Sequence, residues 1–219
     1  MTSMNWKYLF FDLDGTLTDP MQGITRAVQY ALRNFGIEAD DLTALCPFIG
    51  PPLRNSFREF YDMSDADAEV AVAKYREYYA PKGIFENTVY EGIPALLADL
   101  RAHGATLAIA TSKPTHFAER IARHFGFADD FTLISGSMPD GSRDAKADVI
   151  RHALATLGIA DRRQAVMIGD RRHDIEGAAA TGLDSIGVLW GYGSRDELET
   201  AKPTCIAEDI PALRKLLLG

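Results

Sequence analysis

Six short apolar runs, each followed by glycine or polar residues, constrain the fold of this chain more than any other feature. They span residues 7–15, 106–113, 131–136, 165–170, 185–191 and 203–209. Apolar runs of this length, without alternation, are typical of strands buried on both faces of a parallel sheet. Amphipathic helical segments that stop at a glycine lie between them, such as the segment before Gly104. The sequence therefore predicts an α/β fold with a doubly wound, mostly parallel sheet.

One connection is too long for this alternation. The first two runs are separated by about 90 residues, whereas a strand–helix–strand unit needs about 30 in all. Residues 18–87 form the surplus, with apolar spacing typical of helices, and they are too long for a loop. We therefore expect an all-helical domain at 18–87, inserted into a core of residues 1–17 and 88–219. Its position in the chain places it over the carboxyl ends of the strands, where such sheets bind ligands.

Composition limits the possible partners. The 219 residues are 47% hydrophobic, which is typical of a globular protein. Their net charge of −8 disfavours binding to nucleic-acid polymers and to anionic membranes, because both attract basic surfaces. A small anionic substrate stays compatible, because a local metal or lysine can outweigh the global charge. The sequence has no apolar run of ~18 residues and no signal-peptide pattern, so we expect a cytoplasmic protein, monomeric or homodimeric. The distant Cys46 and Cys205 are expected to be reduced thiols.

The first apolar run leads directly into acids, in the stretch YLFFDLDGTLTD at residues 8–19. Carboxylates next to buried apolar surface are costly unless something compensates them. An acidic turn is the simple explanation, since turns favour Asp and Gly. The strongly apolar strand favours a working site instead, in which Asp12 and Asp14 point to the same side of an extended backbone.

Other polar residues are expected at the same edge of the sheet. They follow the later strands or open the helix before one of them: Thr111, Ser112, Lys113, Lys146, Asp170 and Asp174. Helix stability does not explain a lysine at position 146, because a cation at a helix N-terminus interacts unfavourably with the helix dipole. A solvated lysine and an ordinary strand threonine are the simple alternatives. The joint order of these elements favours a shared cavity.

This set of residues has a chemical logic. Mg²⁺ takes carboxylates, substrate phosphate and water as ligands, so Asp12 and Asp170 could hold it with Asp174 beside them. A carboxylate can also act as the nucleophile and form an aspartyl-phosphate. Asp14 could then protonate the leaving alcohol and activate water. Lys146 and Thr111 would neutralise the transferring phosphoryl oxygens.

The motifs DLDGT, TSK, the lysine of SRDAKADVI and GDRRHD, in that order, resemble those of the haloacid dehalogenase superfamily of aspartate-nucleophile phosphohydrolases. The resemblance implies a Rossmann-like core with a helical cap, and Mg²⁺ as cofactor. It implies a catalytic set of Asp12, Asp14, Thr111 and Lys146. The implied metal set is Asp12, Asp14, Asp170 and Asp174. The implied substrate-binding set is Gly15, Thr16, Ser112, Lys113 and, in the cap, Arg54.

Within the superfamily, GDRRHDIEGAAATG and GVLWGYGSRDEL look most like the phosphoglycolate phosphatase-like branch. The lysine in SRDAKADVI and the TSK triplet depart from the KPxP and TNK patterns common there. The resemblance implies a phosphatase acting on a small phosphorylated metabolite. A 5'-nucleotidase and a sugar phosphomutase remain alternatives. A dehalogenase is disfavoured because it would leave Asp14 and Asp170 without a role. A non-catalytic phosphate-binding protein is disfavoured because we would then expect a damaged motif, and every motif is intact.

Overall fold

The computed structural model describes residues 6–138 and 142–219. The chain divides into two compact units. One comprises the chain up to Thr18 together with Val89–Gly219, and the other is Asp19–Thr88. The role of the smaller unit as a cap stays a prediction.

The larger unit contains a six-stranded sheet in the order β5-β4-β1-β6-β7-β8, with every neighbouring pair parallel. The strands of the chain are β1 Tyr8–Phe11, β2 Thr18–Asp19, β3 Thr88–Val89, β4 Thr106–Pro114, β5 Leu133–Ser137, β6 Ala165–Gly169, β7 Asp184–Val188 and β8 Cys205–Ala207. All six apolar runs form strands of this sheet, so the predicted doubly wound α/β core is confirmed. The two-residue strands β2 and β3 pair separately and were not predicted.

The central strand β1 is buried because both of its edges and both of its faces are covered. Phe11 is paired with Ile109 of β4 on one side and with Ile168 of β6 on the other. The chain builds outward from β1 through β4 to β5, and then returns to place β6 on the opposite side of β1. Such a reversal opens a crevice at the carboxyl ends of the two strands, here β1 and β6, where doubly wound sheets bind ligands.

Nine helices are present among the described residues. They are α1 Met21–Arg33, α2 Leu53–Tyr61, α3 Asp65–Tyr79, α4 Ile93–Ala102, α5 Thr115–His124, α6 Lys146–Thr156, α7 Arg172–Ala179, α8 Arg195–Ala201 and α9 Ile210–Leu218. The apolar face of α6 packs on the sheet, where Val149 and Leu154 join a buried cluster with Phe10 and Met167. This packing fixes the helix that begins at Lys146.

The smaller unit is mostly helical, as predicted. Helices α1, α2 and α3 bury Val28, Leu32, Phe57 and Val72, and short 3-10 turns at residues 42–48 and 83–85 complete it. Helix α3 is capped at its N-terminus, where the Ser64 side chain accepts a hydrogen bond from the backbone N–H of Asp67. Among the described residues, no helix has the length and apolar character needed to cross a bilayer.

Candidate active site

The acids of DLDGT lie directly after β1, at the crevice. Asp12 is 4% exposed and its backbone N–H donates to the carbonyl of Ile168, at 2.8 Å, which ties it to β6. The chain then turns at Gly15, where φ is +80° and a Cβ would lie 2.2 Å from Oδ2 of Asp170. Only glycine satisfies both the backbone and the space at this position. The turn at Gly15 therefore brings the acids that follow β1 close to Asp170, which follows β6.

Three buried carboxylates converge at this point. One oxygen each of Asp12, Asp170 and Asp174 lies within 4.8 Å of the others. Asp170 directly follows β6, and Asp174 lies in the first turn of α7. Hard oxygen donors gathered from several elements are what a divalent cation such as Mg²⁺ prefers. The three side chains therefore fit a metal ion, by their chemistry and by their spacing.

Lys146 supplies a buried positive charge to this cluster. Its Nζ lies 2.9 Å from Oδ1 of Asp12 and 2.7 Å from Oδ1 of Asp174, and it donates to the carbonyl of Ala110 at 3.0 Å. Burial alone would lower the pKa of this ammonium, but the two carboxylates outweigh it and raise the pKa above its ordinary value. The lysine is thus held charged beside Asp12.

One lysine does not neutralise three carboxylates. Burial raises the pKa of Asp170 to about 8, and the negative charges of Asp174 and Asp12 act in the same direction. Burial also raises the pKa of Asp174 to about 6, although Lys146 opposes this. A group in such surroundings favours either a proton or a cation. The electrostatics of the cluster therefore agree with its donor chemistry.

Asp14 lies apart from the three-carboxylate group and pairs with Lys113. The Nζ of Lys113 is 2.8 Å from Oδ2 of Asp14. Burial raises the pKa of Asp14, and Lys113 opposes the rise in part. The other oxygen, Oδ1, is buried and has no hydrogen-bond partner among the described residues. These surroundings favour the protonated form of the Asp14 carboxyl, and its role as the acid stays a prediction.

The remaining core residues of the predicted site surround these acids. The buried hydroxyl of Thr111 accepts a hydrogen bond from the backbone N–H of Lys113, at 3.3 Å. The hydroxyl of Thr16 donates to Oδ1 of Asp170, at 3.2 Å. Ser112 is half-buried in β4 between Thr111 and Lys113. The structure brings the core candidates together at one edge of the sheet, and their catalytic roles stay predictions.

Arg54 belongs to the smaller unit. It lies in α2, where its guanidinium pairs with the carboxylate of Glu69, and both side chains are about half exposed, at 54% and 52%. The contact explains what holds the arginine in place. Its role in binding substrate stays a prediction.

The segment that follows β7 was not among the predicted site residues. It nonetheless contacts the site, because the backbone N–H of Tyr192 donates to Oδ2 of Asp170 at 2.7 Å. The indole Nε1 of Trp190 donates to the carbonyl of Thr16 at 3.1 Å. The two glycines after a strand that ends at the crevice were the available signal, since glycine often marks a close approach of two backbones.

Comparison with known proteins identifies the family. The haloacid dehalogenase-like hydrolase family matches residues 9–188, which include every core motif. The chain belongs to this family. The recognition made from the motifs is therefore confirmed.

Three similar proteins indicate which kind of hydrolase this chain is. A 5'-nucleotidase of Pseudomonas aeruginosa is 48% identical over 98% of this chain and 97% of its own length. A tyrosine-protein kinase, PtkA, of Mycobacterium tuberculosis is 42% identical over 95% of this chain and 72% of its own. The crystal structure of a predicted phosphatase from Clostridium acetobutylicum superposes with a TM-score of 0.94 at 47% identity, over 97% of this chain and 98% of the other. This hydrolase is a phosphatase of phosphoric monoesters.

Proposed function

We propose that this phosphatase uses Mg²⁺ and an aspartyl-phosphate intermediate to hydrolyse a small phosphomonoester. The observation that carries the proposal is the contact of Lys146 with both Asp12 and Asp174 inside the buried three-carboxylate group. This arrangement puts the carboxylates of Asp12 and Asp174 beside a fixed, buried positive charge, close to the carboxyl end of β1. An isolated acidic turn would not need a buried lysine.

In the first step, a carboxylate oxygen of Asp12 attacks phosphorus, and the bond from phosphorus to the leaving oxygen breaks. Asp14, protonated at the start, gives its proton to the leaving oxygen, so the product is a neutral alcohol. The burial of Asp14 supports this role, because it favours the protonated carboxyl. Lys113 lies beside the same carboxyl, and in this proposal it would contact a phosphoryl oxygen.

In the second step, water attacks the phosphorus of the aspartyl-phosphate. Asp14 takes a proton from this water, the bond to Asp12 breaks, and inorganic phosphate leaves. Lys146 and the hydroxyl of Thr111 would stabilise the charge that spreads over the phosphoryl oxygens in both steps. Asp14 returns to its protonated form, and the cycle balances.

Asp12, Asp170 and Asp174 would hold the metal. When bound, Mg²⁺ supplies positive charge that offsets the phosphoryl oxygens and the carboxylates together. The hydrogen bond from Thr16 and the one from Tyr192 leave each oxygen of Asp170 a further lone pair for such a ligand role.

For the substrate, nucleoside 5'-monophosphates come first among small phosphomonoesters. The support is the 5'-nucleotidase of Pseudomonas aeruginosa, which matches this chain over nearly the full length of both proteins. The unit Asp19–Thr88 is proposed to act as the cap, which excludes water in the first step and contacts the leaving group through Arg54.

A phosphate-release screen tests the proposal. It compares kcat/KM for nucleoside 5'-monophosphates, 2-phosphoglycolate and sugar phosphates, with Mg²⁺ and with a chelator, for the wild type and for Asp12→Asn. We expect hydrolysis that depends on Mg²⁺, is fastest with a nucleotide and is lost in the variant by at least about 10³-fold. Hydrolysis that survives Asp12→Asn would refute the nucleophile.

Two further assays separate the alternatives. A mutase would interconvert sugar phosphates and release little inorganic phosphate. A tyrosine kinase, as PtkA is named, would consume ATP and label a tyrosine peptide. Either activity with a kcat/KM above that of hydrolysis would overturn the proposed phosphatase reaction.

A further inference from the structure

The segment of residues 190–193, here called the WGYG loop, contacts Asp170 at several points. The backbone N–H of Tyr192 donates to Oδ2 of Asp170 at 2.7 Å. A Cβ on Gly191 would lie 2.4 Å from Oδ2 of the same carboxylate, and one on Gly193 would lie 1.9 Å from the Asp170 carbonyl oxygen. The loop backbone therefore passes against this residue more closely than any side chain would allow.

A second contact ties the loop to the turn after β1. The indole Nε1 of Trp190 donates to the carbonyl of Thr16 at 3.1 Å. The hydroxyl of Thr16 in turn donates to Oδ1 of Asp170 at 3.2 Å. Each oxygen of the carboxylate thus accepts one hydrogen bond, from a different loop. Two donors on opposite oxygens fix the rotation of the carboxylate as well as its position.

The residues after the loop contact the start of α7, the helix that carries the neighbouring metal candidate Asp174. Ser194 caps α8, and Glu197 of that helix accepts hydrogen bonds from the backbone N–H of Arg172 and from Nε of Arg171, both at 2.9 Å. These two residues begin the helix that carries Asp174. The backbone N–H of Arg171 also donates to Oδ2 of Asp174, at 3.1 Å. The same stretch of chain thereby contacts Asp170 directly and the start of the Asp174 helix through Arg171 and Arg172.

We infer that the WGYG loop positions Asp170 for the divalent cation, with Trp190, Gly191 and Gly193 as the positioning residues. The inference rests on the proposed function, because it takes the three-carboxylate group as the metal site. Partners of this kind, one shell outside the ligands, orient a carboxylate and typically change metal affinity by 10- to 100-fold when they are removed. The loop would set how tightly the metal binds, while the chemistry stays with Asp12 and Asp14.

The test is metal affinity in matched tryptophan variants. Trp190→Phe removes the indole donor but keeps an aromatic ring. Trp6→Phe is the control, because Trp6 also lies in the larger unit and its indole donates to Oδ2 of Asp184, at 2.8 Å, instead of to the turn at Thr16. Affinity is measured from the rise of Tm with Mg²⁺ concentration, and from direct titration with Mn²⁺.

We expect Trp190→Phe to weaken Mg²⁺ and Mn²⁺ binding by about 10-fold, with kcat at saturating Mg²⁺ within about 3-fold of the wild type. Trp6→Phe should lower Tm without changing either affinity. Gly191→Ala should weaken binding by about 100-fold where it folds. Because the chain has two tryptophans, the emission of Trp190 in the Trp6→Phe background should change on titration with Mg²⁺.

The outcomes separate this inference from the proposed function. Equal metal affinities in the wild type and Trp190→Phe would overturn the role of the loop and leave the metal site intact. A wild type that binds neither ion would refute the metal site itself, and with it the inference. A loss of affinity that appears equally in Trp6→Phe would show a general effect of stability, and would also overturn the role of the loop.

Discussion

The ammonium of Lys113 lies 2.8 Å from Oδ2 of Asp14, and the two side chains are only 6% and 10% exposed. The pair joins the end of β4 to the turn after β1. Asp14 is the residue that donates a proton to the leaving oxygen in the proposed mechanism. Burial raises the pKa of Asp14 and Lys113 holds that rise in check. Lys113 therefore lowers the upper pH limit at which Asp14 is still protonated and can act in the first step of the proposed reaction.

Replacing Lys113 with Met should shift the pH profile upward. Lys113 is the strongest of the groups that lower the pKa of Asp14, with Lys146 making a smaller contribution in the same direction. Its loss therefore leaves burial less opposed, and the carboxyl stays protonated to higher pH. The alkaline limb of kcat/KM against pH should therefore move to higher pH, while its maximum falls because a phosphoryl contact is lost. Lys113→Arg is the control and should keep the limb near its original position. A downward shift in Lys113→Met would contradict the assignment of Asp14 as the acid.

Replacing Lys146 with Met should strongly destabilise the protein. The ammonium is buried against Asp12 and Asp174, and breaking a buried ion pair typically costs about 3–5 kcal/mol. Urea unfolding in chelator at pH 7.5 measures the loss. It should be smaller at pH 5, because Asp174, whose pKa is raised to about 6, then takes a proton. Lys74→Met, at an exposed pair with Glu77, is the control and should have little effect.

Asp170→Asn should flatten the pH dependence of stability in chelator. The pKa of this carboxyl is raised to about 8 in the folded protein, against about 3.9 when unfolded. The folded state therefore binds more protons between these values, and wild-type stability should fall as pH rises from about 4 to about 8. Tm against pH measures this slope, with Asp148→Asn, paired with Arg151 on the surface of α6, as the control. A slope unchanged in Asp170→Asn would contradict the raised pKa.

The variant should also lose the stabilisation by Mg²⁺. An amide can keep the hydrogen bond from Tyr192 through its oxygen, and its NH₂ can donate to the Thr16 hydroxyl, so the fold around it is retained. The variant loses the negative charge with which Asp170 is proposed to bind Mg²⁺. A full Mg²⁺-induced rise of Tm in Asp170→Asn would exclude this residue from the metal site.

Gly15→Ala and Gly104→Ala separate backbone strain from the loss of space. Both glycines have positive φ, +80° and +85°, but a Cβ on Gly104 meets nothing within 4 Å, whereas one on Gly15 meets Asp170. Both variants should lose about 1–2 kcal/mol of stability from strain. Only Gly15→Ala should also lose Mg²⁺ affinity and phosphatase activity. Equal activities in the two variants would remove Gly15 from the site.

Arg54→Ala should raise KM for a nucleotide about 10-fold with little change in kcat, if the smaller unit contacts the leaving group. A guanidinium is suited to anions and polar groups through its planar set of donors. Arg58→Ala is the matched control, since Arg58 lies one turn further along α2 and pairs with Asp65 in a similarly exposed position. Steady-state kinetics of both variants measure the difference. Parallel changes in the two would assign the effect to the charge of α2 in general.

The sheet and the acids could be predicted because burial and charge leave a clear pattern in the sequence. Residues 8–11 are apolar without alternation, which predicts a strand buried on both faces of a parallel sheet, and the carboxyl ends of parallel strands lie at one edge, where Asp12 and Asp170 meet. The strands β2 and β3 escaped prediction because two residues carry no periodicity.

The contacts of the WGYG loop escaped prediction for another reason. The donor to Asp170 is the backbone N–H of Tyr192, and any residue except proline would supply it. The partner of Asp14 was equally hidden, because the order of motifs does not say which of several nearby cations it meets. Lys113 was expected beside the phosphate, and its contact with Asp14 depends on the register of β1 against β4.

The place of β1 at the centre of the sheet has a consequence for synthesis on the ribosome. Asp12 is made before Lys146 and Asp170, which follow it by roughly 130 and 160 residues, and contacts at such separation are slow to form. Until those residues have been made, the nascent chain carries the proposed nucleophile without the partners that would make it reactive. Under the proposed mechanism, turnover therefore requires synthesis of the chain at least as far as Asp174, the last member of the three-carboxylate group.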